Sequence, residues 1–347
     1  MEALGTLAPG TAREHTPAGR PAGPLRAAVR LLALRTAIAV PLTAAISAAI
    51  FAVASLSPFD PLAAYLGGNY QFATQSQRDA MREAYRTDRP WYQAWWEWVG
   101  GLSRGDLGWS STQSQPVTTV LAERLPFTLA LSGAALLTAT VLAIVLGCLA
   151  GMRRGGMLDR VCTGFAVTFA AVPPFVVSLA LVVVVAVGLR WLPASGAAAP
   201  GADYTIEGVL RHGVLPWIAL TVSMIPWLLL TTRTAVVASI DSDAVRGARS
   251  RGVHGWTLLR GHVAPVSVLP TLALLGTRLP ELIAGAAIVE TVFGWPGMAA
   301  VLVNSAAALD FPLLAALTVA AAVAVLAGSA LSDAAAVAVD PRVRITA

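Results

Sequence analysis

Arg278 and Glu281 are the residues of this sequence most able to do chemistry, because both are charged and both sit inside an apolar run. Counted from Pro270, Arg278 lies about 12 Å along a helix at 1.5 Å per residue, well inside hydrocarbon if the run crosses a bilayer. A lone charge at that depth costs about 2.5–3.5 kcal/mol on insertion scales. Three positions apart, the two side chains share a helix face and can neutralise each other, although arginine first is the poorer order. Pro280 between them cannot donate to the carbonyl of Gly276, an oxygen the arginine can then cap. Other reactive residue types are scattered. His15, His212, His254 and His262, with Ser195, make no nucleophile–base pair and no metal set. Cys148 and Cys162 lack metal-ligand spacing and read as small packing residues. No catalytic residue, metal or cofactor is expected.

All 24 basic residues are arginine. Without lysine there is no phosphate-binding loop of the G-x-x-x-x-G-K-[ST] kind, so the chain is not itself an ATPase of that type. What remains is noncovalent work, which requires elements to position it.

Of the 347 residues, 56% are hydrophobic and only 12% charged, the balance of an integral membrane protein. Runs of bilayer-crossing length cover Thr36–Phe59, Leu125–Met152, Val161–Leu189, Gly213–Thr232, Val263–Val289 and Phe311–Ser332. The expected fold is all-α: six transmembrane helices with a long external loop after the first. Residues 1–30 read as a disordered tail, 31–60 as the first helix and 61–124 as the loop. Residues 125–340 read as a five-helix core, followed by a short tail at 341–347. Pro173-Pro174 falls inside the third run and predicts a kink. The net charge of +5 is a topology signal. Arginines before the first helix, at Arg153, Arg154 and Arg160, at Arg233 and at Arg342 and Arg344 lie on one side, which places both termini in the cytoplasm.

The longest polar island in the core is Asp241–Pro270. Asp241 or Asp243 can cap a short helix carrying Arg246 and Arg249. Gly252 and Gly255 break it, with φ > 0 expected at Gly252. Val253, Trp256, Leu258 and Leu259 then resume an apolar face. On the external side, Thr74-Gln75-Ser76-Gln77 matches a capping box. Trp91, Tyr92, Trp95, Trp96 and Trp98 crowd one segment, which predicts a helix along the membrane interface.

The island resembles the cytoplasmic loop of ABC-transporter permeases, in the branch importing dipeptides, oligopeptides or nickel. The likeness rests on Ala248-Arg249-x-x-Gly252, with His262, Pro265 and Pro270 beyond; Val266 departs from a usual polar residue. Six further strings fall in family order: Arg104-Gly105-Asp106-Leu107-Gly108-Trp109-Ser110, Gly155-Gly156 with Leu158-Asp159-Arg160, Val172-Pro173-Pro174-Phe175, Trp191-Leu192-Pro193-Ala194-Ser195-Gly196, Val289-Glu290-Thr291-Val292-Phe293 with Pro296-Gly297, and Asp340-Pro341-Arg342.

The resemblance implies a permease subunit in a bacterial inner membrane. Its partners would be a second homologous permease, two ATPase subunits, an external solute-binding protein and membrane lipid, with no nucleic acid. Asp243, Arg246, Gly247, Ala248, Arg249, Gly252, Val253 and His254 would form the ATPase-coupling loop. Small residues at Gly247 and Ala248 would let the loop approach closely in a groove on the ATPase. Pro173, Pro174, Arg278, Glu281 and Glu290 would belong to the translocation path or a gate. Arg278 with Glu281 would either neutralise each other or contact a peptide terminus. Glu290 would either bond to the outer loop or sit in interfacial water. The alternative reading is an ion-coupled secondary transporter, which needs ionisable groups or broken helices at paired positions in two inverted halves; only Arg278 and Glu281 lie at such depth.

Overall fold

The computed structural model describes residues 24–56, 71–85, 89–308 and 310–339. The N-terminal tail to residue 23, the turn expected at Pro58–Pro61 with Gly67-Gly68, and Asp340-Pro341-Arg342 with the final tail lie outside these. The first helix, α1, spans Pro24–Ser55. It starts before the expected boundary at 31, with proline in the first turn, where its missing N–H is no loss. Two short helices follow, α2 (Gln75–Tyr85) and α3 (Trp91–Leu102). The capping box forms: Thr74 N donates to Gln77 Oε1 at 2.9 Å and Gln77 N to Thr74 Oγ1 at 3.3 Å. A two-residue antiparallel hairpin, β1 (Trp109–Ser110) with β2 (Gln115–Pro116), is a small addition to the helical architecture.

The core runs through α4 (Val117–Met152), α5 (Met157–Ala170), α6 (Pro174–Leu181), α7 (Ile206–Ile240), α8 (Asp243–Ser250) and α9 (Gly255–Leu258). It continues through α10 (Ala264–Ser267), α11 (Leu269–Phe293), α12 (Met298–Ala307) and α13 (Phe311–Val339). Two π-helical stretches, Val182–Gly188 and Leu259–Val263, extend α6 and join α9 to α10.

The third apolar run is not one kinked helix but two, bent by 105° between α5 and α6. Two successive prolines delete two N–H donors, and the helix breaks rather than bends. A second bend of 91° separates the end of α11 from α12. Among the described residues, five helical stretches are long and apolar enough to cross a membrane, or up to seven if each bent pair is one span; the apolar runs of the sequence had indicated six.

The scaffold is the α4–α7 pair, the most extensive helix contact in the described residues. Ala135, Ala139, Ala143, Gly147 and Gly151 recur every four residues and are buried along one stripe of α4. A methyl group on Gly147 would come within 2.7 Å of Thr232 Cβ, and one on Gly151 within 2.6 Å of Val236 Cγ1. Small residues thus bring two backbones together where lipid supplies no hydrophobic drive. Large apolar side chains such as Leu137, Val183 and Val323 point outward, as a membrane solvent allows. α1 packs on α3 and α13 at the edge of the bundle. Within α3, Trp98 is buried and Trp95 Nε1 donates to Ser47 Oγ at 3.0 Å, while Tyr92 and Trp96 are exposed.

Candidate functional site

The arginine-rich end of the bundle carries α8 and α9. Ser242, not either aspartate, caps α8, accepting from Val245 N at 3.4 Å; Asp241 instead ends α7. Gly252 takes φ +85°, as its position after the helix requires. Val253 N donates to Ala248 O at 3.1 Å and Gly252 N to Arg249 O at 2.9 Å. This is a Schellman closure, in which the residue after the glycine also packs on the residue five before it. Val253 and Ala248 do so in one cluster with Cys148, Val236, Val245, Leu258, Leu259 and Val263.

Ala248 is fully buried inside this chain, in the cluster that closes the underside of the loop. The sequence Ala-x-x-x-Gly is a folding requirement of the loop. What faces outward is a different set: Asp243, Arg246, Arg249, Arg251, His254 and Trp256, with Gly247 half-buried. Arg246 pairs with Asp243 one turn away. Trp256 is 70% exposed, unusual for the largest apolar side chain on a loop clamped from beneath.

The loop stands on an ion pair that sequence reasoning passed over. Asp159, at the start of α5, is 3% exposed and takes two hydrogen bonds from Arg233 of α7, Nε to Oδ1 at 2.5 Å and Nη2 to Oδ2 at 2.8 Å. Gly155 N adds a third at 2.8 Å. Arg233 precedes Ser242, the cap of α8, by nine positions, so the pair ties the root of the loop to the arm that carries the elbow. Arg154 and Asp241 approach to 4.0 Å nearby, but both are exposed and such pairs contribute little.

At the opposite end, Glu290 is 1% exposed, which removes the reading of a carboxylate in interfacial water. Thr128 of α4 donates through Oγ1 to Glu290 Oε1, and the same hydroxyl accepts from Met298 N at 2.9 Å. Ala299 N donates to Glu290 Oε2 at 2.8 Å. The carboxylate and the hydroxyl thereby satisfy the first N–H groups of α12, which have no partner within the helix. Gly297 has no side chain because the carboxyl group fills the space a Cβ would need. Trp295 closes the corner, donating through Nε1 to Phe127 O at 3.3 Å. Nearby, Asp310 Oδ2 accepts from Ser110 Oγ at 2.6 Å, Thr112 Oγ1 at 2.8 Å and Thr112 N at 3.0 Å, fixing the hairpin to the start of α13.

Pro173 and Pro174 form the α5–α6 elbow, which opens a cavity of about 200 Å³ against Leu220, Ser223, Met224, Trp227 and Gly285. Arg278 lies with its guanidinium carbon 4.7 Å from the centre of the Trp227 ring. Of the residues expected on a path, the structure thus brings Pro173, Pro174 and Arg278 together around Trp227. Glu290 stands apart from them, on the α12 corner. Glu281 is in α11, and its side chain lies outside the described ones, so its pairing with Arg278 does too. Thr128 and Trp227 were not named from sequence, and Asp159 and Arg233 entered only through a family string and the charge asymmetry; the signal for each role is its partner, not its spacing.

A broken-helix bundle of this composition, with a buttressed polar loop at one end and a closed corner at the other, is a polytopic membrane transport subunit. Residues 143–345 match the family described as binding-protein-dependent transport system inner membrane component, and the chain belongs to that family. It is 30% identical over 313 residues to a protein of Brucella suis biovar 1 (strain 1330) named as a peptide permease, covering 90% of this chain and 98% of the relative. It is 29% identical to the oligopeptide transport system permease protein AppB of Bacillus subtilis (strain 168), over 89% of this chain and 97% of that one. It is also 30% identical to the dipeptide transport system permease protein DppB of Lactococcus lactis subsp. cremoris (strain MG1363), over 78% and 87%. Family membership selects binding-protein-dependent transport over the ion-coupled alternative.

Proposed function

We propose that this chain forms half of the translocation path of an ABC importer for peptides. Its α8–α9 loop sits in a groove on one of two ATPase subunits, and a second homologous permease supplies the other half of the path. The arginine-rich end, with both termini, is cytoplasmic in a bacterial inner membrane, as the positive-inside bias favours. The outer end, with α3, the hairpin and the α12 corner, receives an external solute-binding protein. Peptides are preferred over nickel as cargo on the names of the relatives. The chain forms no covalent bond with the cargo and hydrolyses no nucleotide.

The observation that carries the reading is the exposed Trp256 beside Arg246, Arg249 and Arg251 on a loop whose underside is locked by Val245, Ala248 and Val253. A rigid protrusion presenting an aromatic anchor with an arginine rim is what a hot-spot contact requires. Glu290, Thr128 and Ala299 act as an outer gate in this reading, since parting α4 from the α11–α12 corner breaks the bonds of Thr128 to Glu290 and to Met298 N.

The test is co-purification of the full chain with its ATPase subunits. The wild-type chain should retain them and Trp256→Ala should lose them without loss of membrane insertion. Equal retention would overturn the docking assignment.

A further inference from the structure

Beneath the closed corner at Glu290, a cavity of about 320 Å³ runs between α4, α11 and α13. Its walls are mostly aliphatic, among them Leu129, Leu136, Leu282, Ile283 and Ala321. Thr128, Ser132 and Glu290 interrupt them with oxygen. Thr128 is committed, since its hydroxyl donates to Glu290 and accepts from Met298 N at 2.9 Å. Ser132 is not. It is 7% exposed, and its Oγ has no hydrogen-bond partner among the described residues. On the same helix Thr140 Oγ1 donates to Leu136 O at 2.7 Å, one turn back, and Ser223 of α7 does the same to Ala219 O at 2.9 Å. Ser132 leaves that local bond unmade, although a bare hydroxyl inside a bilayer is costly.

The second observation is charge. Among the described residues that line the cavity, Glu290 is the only charged one. A carboxylate offers about four lone-pair positions. Thr128 Oγ1 takes one and Ala299 N another, which leaves acceptor capacity for a further donor. Ser132 follows Thr128 by one turn on the same face of α4, with about 5–6 Å between Cβ atoms at that spacing. Thr128 bonds the carboxylate, so the carboxylate and the bare hydroxyl flank a gap the size of one ammonium group. An ammonium carries three donors and no acceptor, the complement of these two oxygens. A phospholipid acyl chain would cover the aliphatic walls but leave Ser132 bare.

We propose that this cavity receives the N-terminal residue of a peptide. Glu290 and Ser132 Oγ hold the ammonium, and the side chain packs on the aliphatic walls. The volume suits one residue rather than a whole peptide, so selectivity here is for a free amino terminus with an apolar side chain and not for sequence. The proposal rests on the reading that the cargo is peptide.

The test uses the full chain in lipid nanodiscs, with leucyl-alanyl-alanine and its N-acetyl form as probes, and saturation-transfer NMR on the leucine methyl groups. The free amine should receive at least threefold more saturation than the acetylated probe. Glu290→Gln should bring that ratio to about one. Ser132→Ala breaks no bond of the corner, so a merely structural role for Glu290 leaves the ratio unchanged, whereas the proposal expects it to fall at least by half. That variant keeps the test decisive if Glu290→Gln does not insert. Ala321→Leu, which fills the cavity, should abolish transfer to both probes. Equal transfer to both probes in the wild-type chain, or a preference that survives Ser132→Ala or Ala321→Leu, would overturn the proposal. So would loss of co-purified phospholipid in Ala321→Leu with no transfer to either probe in the wild type, which would assign the cavity to an acyl chain. Uptake of labelled leucyl-alanyl-alanine by the complete transporter in proteoliposomes is scored separately. Intact binding without uptake would overturn the peptide-import reading and leave the site standing.

Discussion

Asp159 and Arg233 hold each other through two parallel hydrogen bonds at the base of the arginine-rich end, the carboxylate buried and the guanidinium mostly so. They stand 74 residues apart and join α5, which leads to the elbow, to α7, which leads to the loop. A tilt of α7 relative to α5 would strain this pair.

Removing one partner of that pair should therefore cost more than removing both. Arg233→Ala strands a buried carboxylate, with an expected loss of about 3–5 kcal/mol. Asp159→Leu with Arg233→Met should recover most of it. Thermal unfolding in detergent measures the order. A double variant less stable than Arg233→Ala would mean that the two residues do not act as a pair.

Gly252→Val places a β-branched side chain at φ +85°, a left-handed conformation costing roughly 1–2 kcal/mol for L-residues. The Schellman closure should loosen, and peptide-stimulated ATP hydrolysis by the assembled transporter should fall while insertion persists. Gly252→Asn should stay close to wild type, because asparagine tolerates this conformation. Valine and asparagine variants of equal activity would show that the turn is not what couples.

Ala248→Glu and Trp256→Ala should separate folding from docking. The first buries an unpaired carboxylate in the Val245–Val263 cluster, so the loop itself should unfold and become protease-sensitive. The second leaves that cluster intact and should weaken ATPase binding by about 2 kcal/mol, roughly 30-fold in Kd. If Ala248→Glu keeps a protease-resistant loop, Ala248 is not where the structure places it.

At the outer corner, Glu290→Ala leaves Ala299 N and Thr128 Oγ1 without the carboxylate they bond to. The corner should open, so a cysteine placed at position 299 reacts faster with a membrane-impermeant maleimide added from outside. Gly297→Ala should open it by crowding the same carboxyl group, with Glu290 still present. Unchanged labelling in both would remove Glu290 from the gate.

The helices, the place of the first break and the loop were legible in the sequence because their causes are local, whereas the 91° break before α12 was not. Apolar length gives a span, paired prolines delete donors at known positions, and a glycine after a short capped helix takes positive φ whatever surrounds it. The Thr74–Gln77 capping box formed for the same reason. By contrast, the spacing gave no sign that Ala248 packs inside this chain and left Glu290 between the outer loop and interfacial water; packing buries both. Helix spacing says which residues share a face but not which neighbour covers that face. The contacts that give these residues their roles join Asp159 to Arg233 across 74 positions, Thr128 to Glu290 across 162, and Ser110 to Asp310 across 200. Only the tertiary structure decided those pairings, because each buried carboxylate draws its donors from whichever helix the small-residue stripes and proline breaks bring beside it.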